Sequence, residues 1–138
     1  MFNEAITGKL LSGALTALRD LGVDRVVVMR VPGALELGIA CQALLRAGCE
    51  AAVAVGAVIK GETDHYEYVS TEASRAVTEV ALAHGRPVGN AVLTVREYEQ
   101  AVDRSLPGPS NKGFEAAHAA VEAFRMLEGL NEAVDRKP

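Results

Sequence analysis

A chain of 138 residues, 49% hydrophobic but only 4% aromatic and 23% charged, has the size and aliphatic bias of one compact α/β domain, expected over 1–130, with a polar tail over 131–138. A formal net charge of -4 and a pI near 5.4 exclude the basic footprint of a nucleic-acid binder, so any anionic ligand must be held by local positive groups. The longest uncharged apolar run, Ala51 to Ile59, is too short to cross a bilayer, and Met1-Phe2-Asn3-Glu4 lacks the basic start and apolar stretch of a secretory signal, which predicts a cytoplasmic protein with no membrane partner.

In chain order, Ile6, Leu10, Ala14, Leu18 and Leu21 recur at helical spacing over Glu4 to Leu21, with Asn3 as a candidate N-cap and Gly22 as a left-handed stop. Arg25 to Val31 is a β-branched run ended by Pro32-Gly33 and is predicted to be a strand. Ala34 to Ala47 reads as a second helix closed by Gly48, and Ala51 to Ile59 as a strand buried on both faces. A third helix is predicted from Tyr68 to about His84-Gly85, and a strand from Pro87 to Val95. A short helical segment follows around Glu97 to Arg104. Ser105-Leu106-Pro107-Gly108-Pro109-Ser110 must be a loop, because neither proline fits a helix interior. From Asn111, the spacing of Phe114, Ala117, Val121, Phe124 and Leu127 predicts a last helix ending near Gly129, with a frayed tail beyond. This alternation implies right-handed crossovers and a mainly parallel sheet of three strands, a thin core for five helices.

Chemistry concentrates where the central strand ends, at Lys60-Gly61-Glu62-Thr63-Asp64-His65. Ligands of open parallel sheets bind beyond the carboxyl ends of the strands. Gly61 permits close backbone approach, the amides from Gly61 to Thr63 can point at an anion at a helix start, and His65 suits proton transfer near neutral pH. The bland reading of His65 is an ordinary histidine at a helix start. Asp64, His65 and Glu67 match no metal spacing, and Gly8-Lys9 lacks the rest of a phosphate loop. Glu36, just past Pro32-Gly33, either complements a helix dipole or grips a ligand's N–H groups. Arg104 and Lys112 flank the Pro-Gly-Pro loop and either solvate it or supply positive charge to a crevice. His84 and His118 read as solvated or capping residues. Cys41 and Cys49 fit no disulfide, zinc or redox pattern and are expected to be free thiols.

Five blocks, Phe2-Asn3-Glu4-Ala5-Ile6-Thr7, Val31-Pro32-Gly33-Ala34-Leu35-Glu36-Leu37, Gly56 to Val69, Val92-Leu93-Thr94 with Glu99-Gln100-Ala101, and Asn111-Lys112-Gly113, together resemble lumazine synthase in order and spacing, from Phe2 to about Leu127. The resemblance implies a flavodoxin-like three-layer sandwich. It also implies the penultimate step of riboflavin synthesis: condensation of 5-amino-6-(D-ribitylamino)uracil with 3,4-dihydroxy-2-butanone 4-phosphate to 6,7-dimethyl-8-ribityllumazine, phosphate and water, without cofactor or metal. Carried over by position, it places Phe2 on the pyrimidine. Asn3, Ala34, Leu35 and Glu36 would hold the uracil and ribityl chain, with Ala57, Val58 and Ile59 lining the pocket. Glu62 and Thr63 would meet the phosphate, His65 would move protons, Arg104 would anchor the phosphate and Lys112 would help to close the site across a subunit boundary. The implied partners are these small molecules and further copies of the chain, as a pentamer or a sixty-chain icosahedral shell. A non-catalytic flavin- or lumazine-binding relative and a shell-forming relative are the rival readings.

Three departures stand out. The family has a strand ahead of the Phe-Asn pair, where this sequence has Met1, so the expected fold lacks its first core strand and a start assigned too late, or a truncated product, is expected. Asn90 stands where the family usually has an aromatic residue against the pyrimidine. Leu106-Pro107-Gly108-Pro109-Ser110 replaces the kink associated with shells.

Overall fold

The structure, a computed structural model, describes residues 3–135. The expected pyrimidine-stacking residue Phe2 lies outside the described residues.

Helix α1 (Glu4–Asp20) buries Ile6, Leu10, Ala14 and Ala17, one face repeating every three or four residues. It stops where the sequence places its stop. Gly22, at φ 81°, turns the chain so that its N–H reaches the Arg19 carbonyl at 3.0 Å and the Val23 N–H reaches that of Leu18 at 2.9 Å. A 3₁₀ turn, Ala34–Glu36, leads into α2 (Leu37–Arg46). Strand β1 (Ala52–Ile59), α3 (His65–His84), β2 (Val88–Val95), α4 (Tyr98–Arg104) and α5 (Lys112–Asp135) complete the order. Helix α5 passes through Gly129 rather than ending there: one glycine costs a helix about 1 kcal/mol, and Leu127, Glu128, Leu130, Glu132 and Ala133 all favour the helix. Residues 131–135 are therefore helical, where a frayed tail was expected.

β1 and β2 pair in parallel, from Ala52 opposite Val88 to Ile59 opposite Val95. Alternate side chains leave the sheet on opposite faces. Ala52 and Ala54 pack with Leu37, Cys41, Leu45 and Val77 of α2 and α3. Leu93 and Val95 pack with Ile6, Leu10 and Ala101 of α1 and α4, while Val53 meets the contact between α1 and α5. Helices thus cover both faces and give the three-layer arrangement that a parallel sheet requires.

The expected third strand does not form. From Val23 to Val31 the chain runs without turn or bend but joins no strand among the described residues, whose sheet has two strands, not three. A β-branched run becomes a strand only when a neighbour takes its amides and carbonyls. Here a cavity of about 640 Å³ separates the run from β1. Val26, Val27, Val28 and Met29 are exposed as a result.

Candidate active site

The carboxyl end of β1 delivers the chain into an exposed polar turn. Lys60 N–H still bonds to the Val95 carbonyl, at 2.9 Å, and after it the ladder ends. Among the described residues the amides of Gly61, Glu62 and Thr63 have no partner within the chain. Three donors in succession ahead of a 20-residue helix give local positive potential in an acidic protein. Thr63 Oγ1 accepts the His65 N–H at 3.4 Å, which ties the turn to the first residue of α3. His65, Glu62 and Thr63 are all exposed.

Asn3 approaches the same end of the sheet from another element. It is the residue before α1 and adopts the left-handed conformation, φ 62°, which asparagine tolerates better than most side chains. Its carbonyl accepts the Ile6 and Thr7 amides. Its side chain makes no cap, contrary to expectation, and Nδ2 instead donates to the Ala57 carbonyl at 3.5 Å. Val58 is buried beside it, with Ala57 and Ile59 half-buried. Ala34 packs on the α2 side of the core, Leu35 is exposed, and the Glu36 carboxylate folds back against Gly33.

Other expected site residues are engaged by partners of their own. Asn90 lies opposite Ala54, midway along β2, and its Oδ1 accepts the Val92 N–H at 2.9 Å along the outer edge of the sheet. Arg104 ends α4, where its charge complements the helix dipole, and its Nη1 donates to the Gln100 carbonyl at 3.1 Å. Lys112 pairs with Glu115 at 2.9 Å. No hydrogen bond or ion pair among the described residues joins His65 to Glu36 or Arg104, and His65 lines neither the cavity beside β1 nor the one under the Ser105–Asn111 loop. His84 closes α3 and His118 stacks on Phe114 at 6.4 Å, in keeping with their bland readings. Among the described residues no cluster of three potential metal ligands occurs, and both cysteines are free, Cys41 buried and its thiol pushed up to about 11 by desolvation.

Sequence reasoning missed two supporting groups. Gln100 forms a capping box with Glu97, its Oε1 accepting the Arg96 and Glu97 amides at 2.9 and 3.0 Å, and so fixes the helix that carries Arg104. Glu-x-x-Gln is a weak form of that signal. Asn111, 1% exposed, is a three-way clamp. Its Oδ1 accepts the Phe114 N–H at 3.0 Å, and its Nδ2 donates to the carbonyls of Ser105 at 2.9 Å and Lys9 at 3.2 Å. The capping half of that role was legible three residues before Phe114; the bonds to α1 and to the loop were not, because their partners are 102 and 6 positions away.

The layering and the turn beyond β1 define an α/β domain whose ligand-binding end is the carboxyl edge of its sheet. The family profile of 6,7-dimethyl-8-ribityllumazine synthase matches residues 1–128. A 6,7-dimethyl-8-ribityllumazine synthase of Desulfovibrio desulfuricans is 42% identical over 132 residues, covering 94% of this chain and 85% of the relative. One from Leifsonia xyli subsp. xyli is 45% identical over 133 residues, covering 93% and 84%, and one from Bdellovibrio bacteriovorus is 39% identical over 133 residues, covering 96% and 74%. The chain belongs to the 6,7-dimethyl-8-ribityllumazine synthase family.

Proposed function

We propose that the protein condenses 5-amino-6-(D-ribitylamino)uracil with 3,4-dihydroxy-2-butanone 4-phosphate, in the cytoplasm, where its two unpaired cysteines stay reduced. The observation that most supports this reading is the run of unpartnered amides at Gly61, Glu62 and Thr63 beside His65. The phosphate of the butanone sits on those amides, with Arg104 as a second anchor. The uracil and ribityl groups lie along Asn3, Ala34, Leu35, Glu36 and the Ala57–Ile59 backbone, with Phe2 and the residue at Asn90 toward the ring. Imine formation, loss of phosphate and ring closure each shift a proton, and the His65 imidazole takes and returns it. Holding two reactants in register supplies most of the acceleration.

One chain offers only one wall for this chemistry, since His65 is exposed and Arg104 is held elsewhere. The second wall, including Arg104 and Lys112, comes from a neighbouring copy in a homo-oligomer, a pentamer or a shell of pentamers. Large exposed apolar residues, Ile39 at 71%, Tyr68 at 64% and Leu82 at 78%, suit such burial. The test is to mix purified protein with both substrates and follow lumazine absorbance or fluorescence, with light scattering on the same sample. Product formation by an oligomer is expected; an oligomer that binds the pyrimidine without turnover would overturn the catalytic reading and favour a binding relative.

A further inference from the structure

Helices α1 and α5 lie side by side and run the same way, with Gly113 against the Leu10 carbonyl and Arg125 Nη2 donating to the Leu21 carbonyl at 2.6 Å. That bond is made just past the end of α1, and α5 goes on without it. From 126 to 135 the helix runs on for ten residues, about 15 Å at roughly 1.5 Å per residue. All of them are exposed except Leu127, which is half-buried. The family profile ends at residue 128, so the last seven residues of the helix, 129 to 135, lie beyond it.

A helix end surrounded by water is expected to be polar all round. This one is not. Ala123, Met126, Leu130 and Ala133 recur at intervals of three, four and three residues, and Leu127 and Val134 widen the seam on one side. Glu128, Glu132 and Asp135 lie on the opposite face. The side of α5 that the domain buries, with Ala117, Ala120 and Val121, is a different one, so the seam faces away from the core. Between 126 and 135 the polar face carries three acids and no base, which repels an anionic lipid surface.

We propose that this seam docks against the same seam of a second copy, as an antiparallel pair of α5 ends related by a two-fold axis. Its own pattern selects that partner. Antiparallel, Ala123 faces the second copy's Ala133 and Met126 faces its Leu130, so small residues meet small ones and large meet large, and Leu127 meets its counterpart near the axis. Parallel, Glu122 would lie along the second copy's Leu127, a carboxylate against an apolar side chain, and the two acidic ends would sit together. The antiparallel order instead brings the acidic end of each helix beside the end of the other that carries Arg125. Gly129 has open space where a Cβ would lie, so a facing helix can approach closely on that flank. Six side chains a copy is far below the roughly 20–30 residues a side of a stable interface, so the joint is weak and depends on concentration. It is separate from Ile39, Tyr68 and Leu82, and it rests on neither the reaction nor the assembly proposed above.

Single cysteines read the pairing. Met126→Cys and Leu130→Cys are purified separately, mixed, and exposed to oxidised glutathione; the mixture should give at least about tenfold more linked pairs than either protein alone. Glu128→Cys, on the opposite face, and the unaltered protein, with Cys41 buried and Cys49 half-buried, give the background. In light scattering the particle mass of the unaltered protein should rise with concentration toward about twice its low-concentration value. Leu130→Arg should abolish that rise and leave the melting temperature and the condensation rate unchanged, because Leu130 is exposed. Linking of either single-cysteine protein as strong as that of the mixture would overturn the antiparallel pair, as would a constant mass up to about 1 mM of chain. A rise that persists in Leu130→Arg would assign it to another surface and overturn the proposal too.

Discussion

Asn111 offers the sharpest test of how this fold is held together, because one amide joins α1, the loop after α4 and the start of α5. In Asn111→Ala the cap on Phe114 N–H is lost, at about 1 kcal/mol. The carbonyls of Ser105 and Lys9 also lose a donor. That of Ser105, in a residue with 0% exposure, cannot find water without opening the helix contact, and an unpaired buried acceptor costs about 1–3 kcal/mol. With little added at Lys9, which is exposed and can turn to water, the total is about 2–4 kcal/mol, a large share of the roughly 5–15 kcal/mol of an ordinary domain. Asn111→Asp separates the two halves. The carboxylate keeps the cap acceptor but aims negative oxygen at two carbonyls, so at neutral pH it should be at least as harmful as alanine. Protonation supplies one donor, and the folded-state pKa of this introduced carboxyl lies above its unfolded value of about 3.9. In that window the folded state binds more protons than the unfolded state, so the Asn111→Asp variant should regain stability relative to the native protein as pH falls. Urea unfolding of the three proteins at pH 5 and pH 7 reads both effects. A loss under about 1 kcal/mol for Asn111→Ala, or a pH-independent difference for Asn111→Asp, would refute the clamp.

Three further outcomes follow from the same geometry. His65→Ala should lower the condensation rate by about 10²–10⁴ and leave pyrimidine binding nearly intact; an unchanged rate in the lumazine assay removes the imidazole from the mechanism. Arg104→Ala should chiefly raise KM for the phosphate-bearing substrate, with urea stability within about 0.5 kcal/mol because the side chain is exposed; a response confined to the other substrate's KM refutes the anchor. Cys41, whose thiol is pushed from 9.0 to about 11, keeps its proton in the folded state while the unfolded state loses it, so stability should fall as pH rises from 9.0 toward 11. Cys41→Ala should flatten that slope in thermal melts over the same range.

The helices were legible because each buries a stripe of Ala, Leu and Val against one sheet face, and because Gly22, Gly48 and Gly85 end three of them in left-handed turns. The two strands were legible from continuous apolar runs between turn residues. Arg25 to Val31 carries the same local pattern as β1, yet it pairs with no strand among the described residues. Strand formation is decided by a neighbour in space, and no local pattern records whether one is there. The turn from Lys60 to His65 was legible for a similar reason in reverse: a polar cluster after an apolar run must be where the ladder stops, whatever surrounds it. That Arg104 and Asn90 bond to groups on their own elements was not, since sequence blocks do not say which groups a side chain reaches. Asn90 shows the same gap, its bond to Val92 being set by an edge that only the finished sheet defines.

The contact between α1 and α5 shows how two small residues and one amide side chain close a helix pair. Gly13 and Gly113 let the helices approach so closely that a Cβ at either would collide with Asn111 or with the Leu10 carbonyl. Asn111 then bonds the Lys9 carbonyl from within that contact. These interactions hold α1 and α5 together over one face of the sheet by backbone proximity, which a side chain added at either glycine would break.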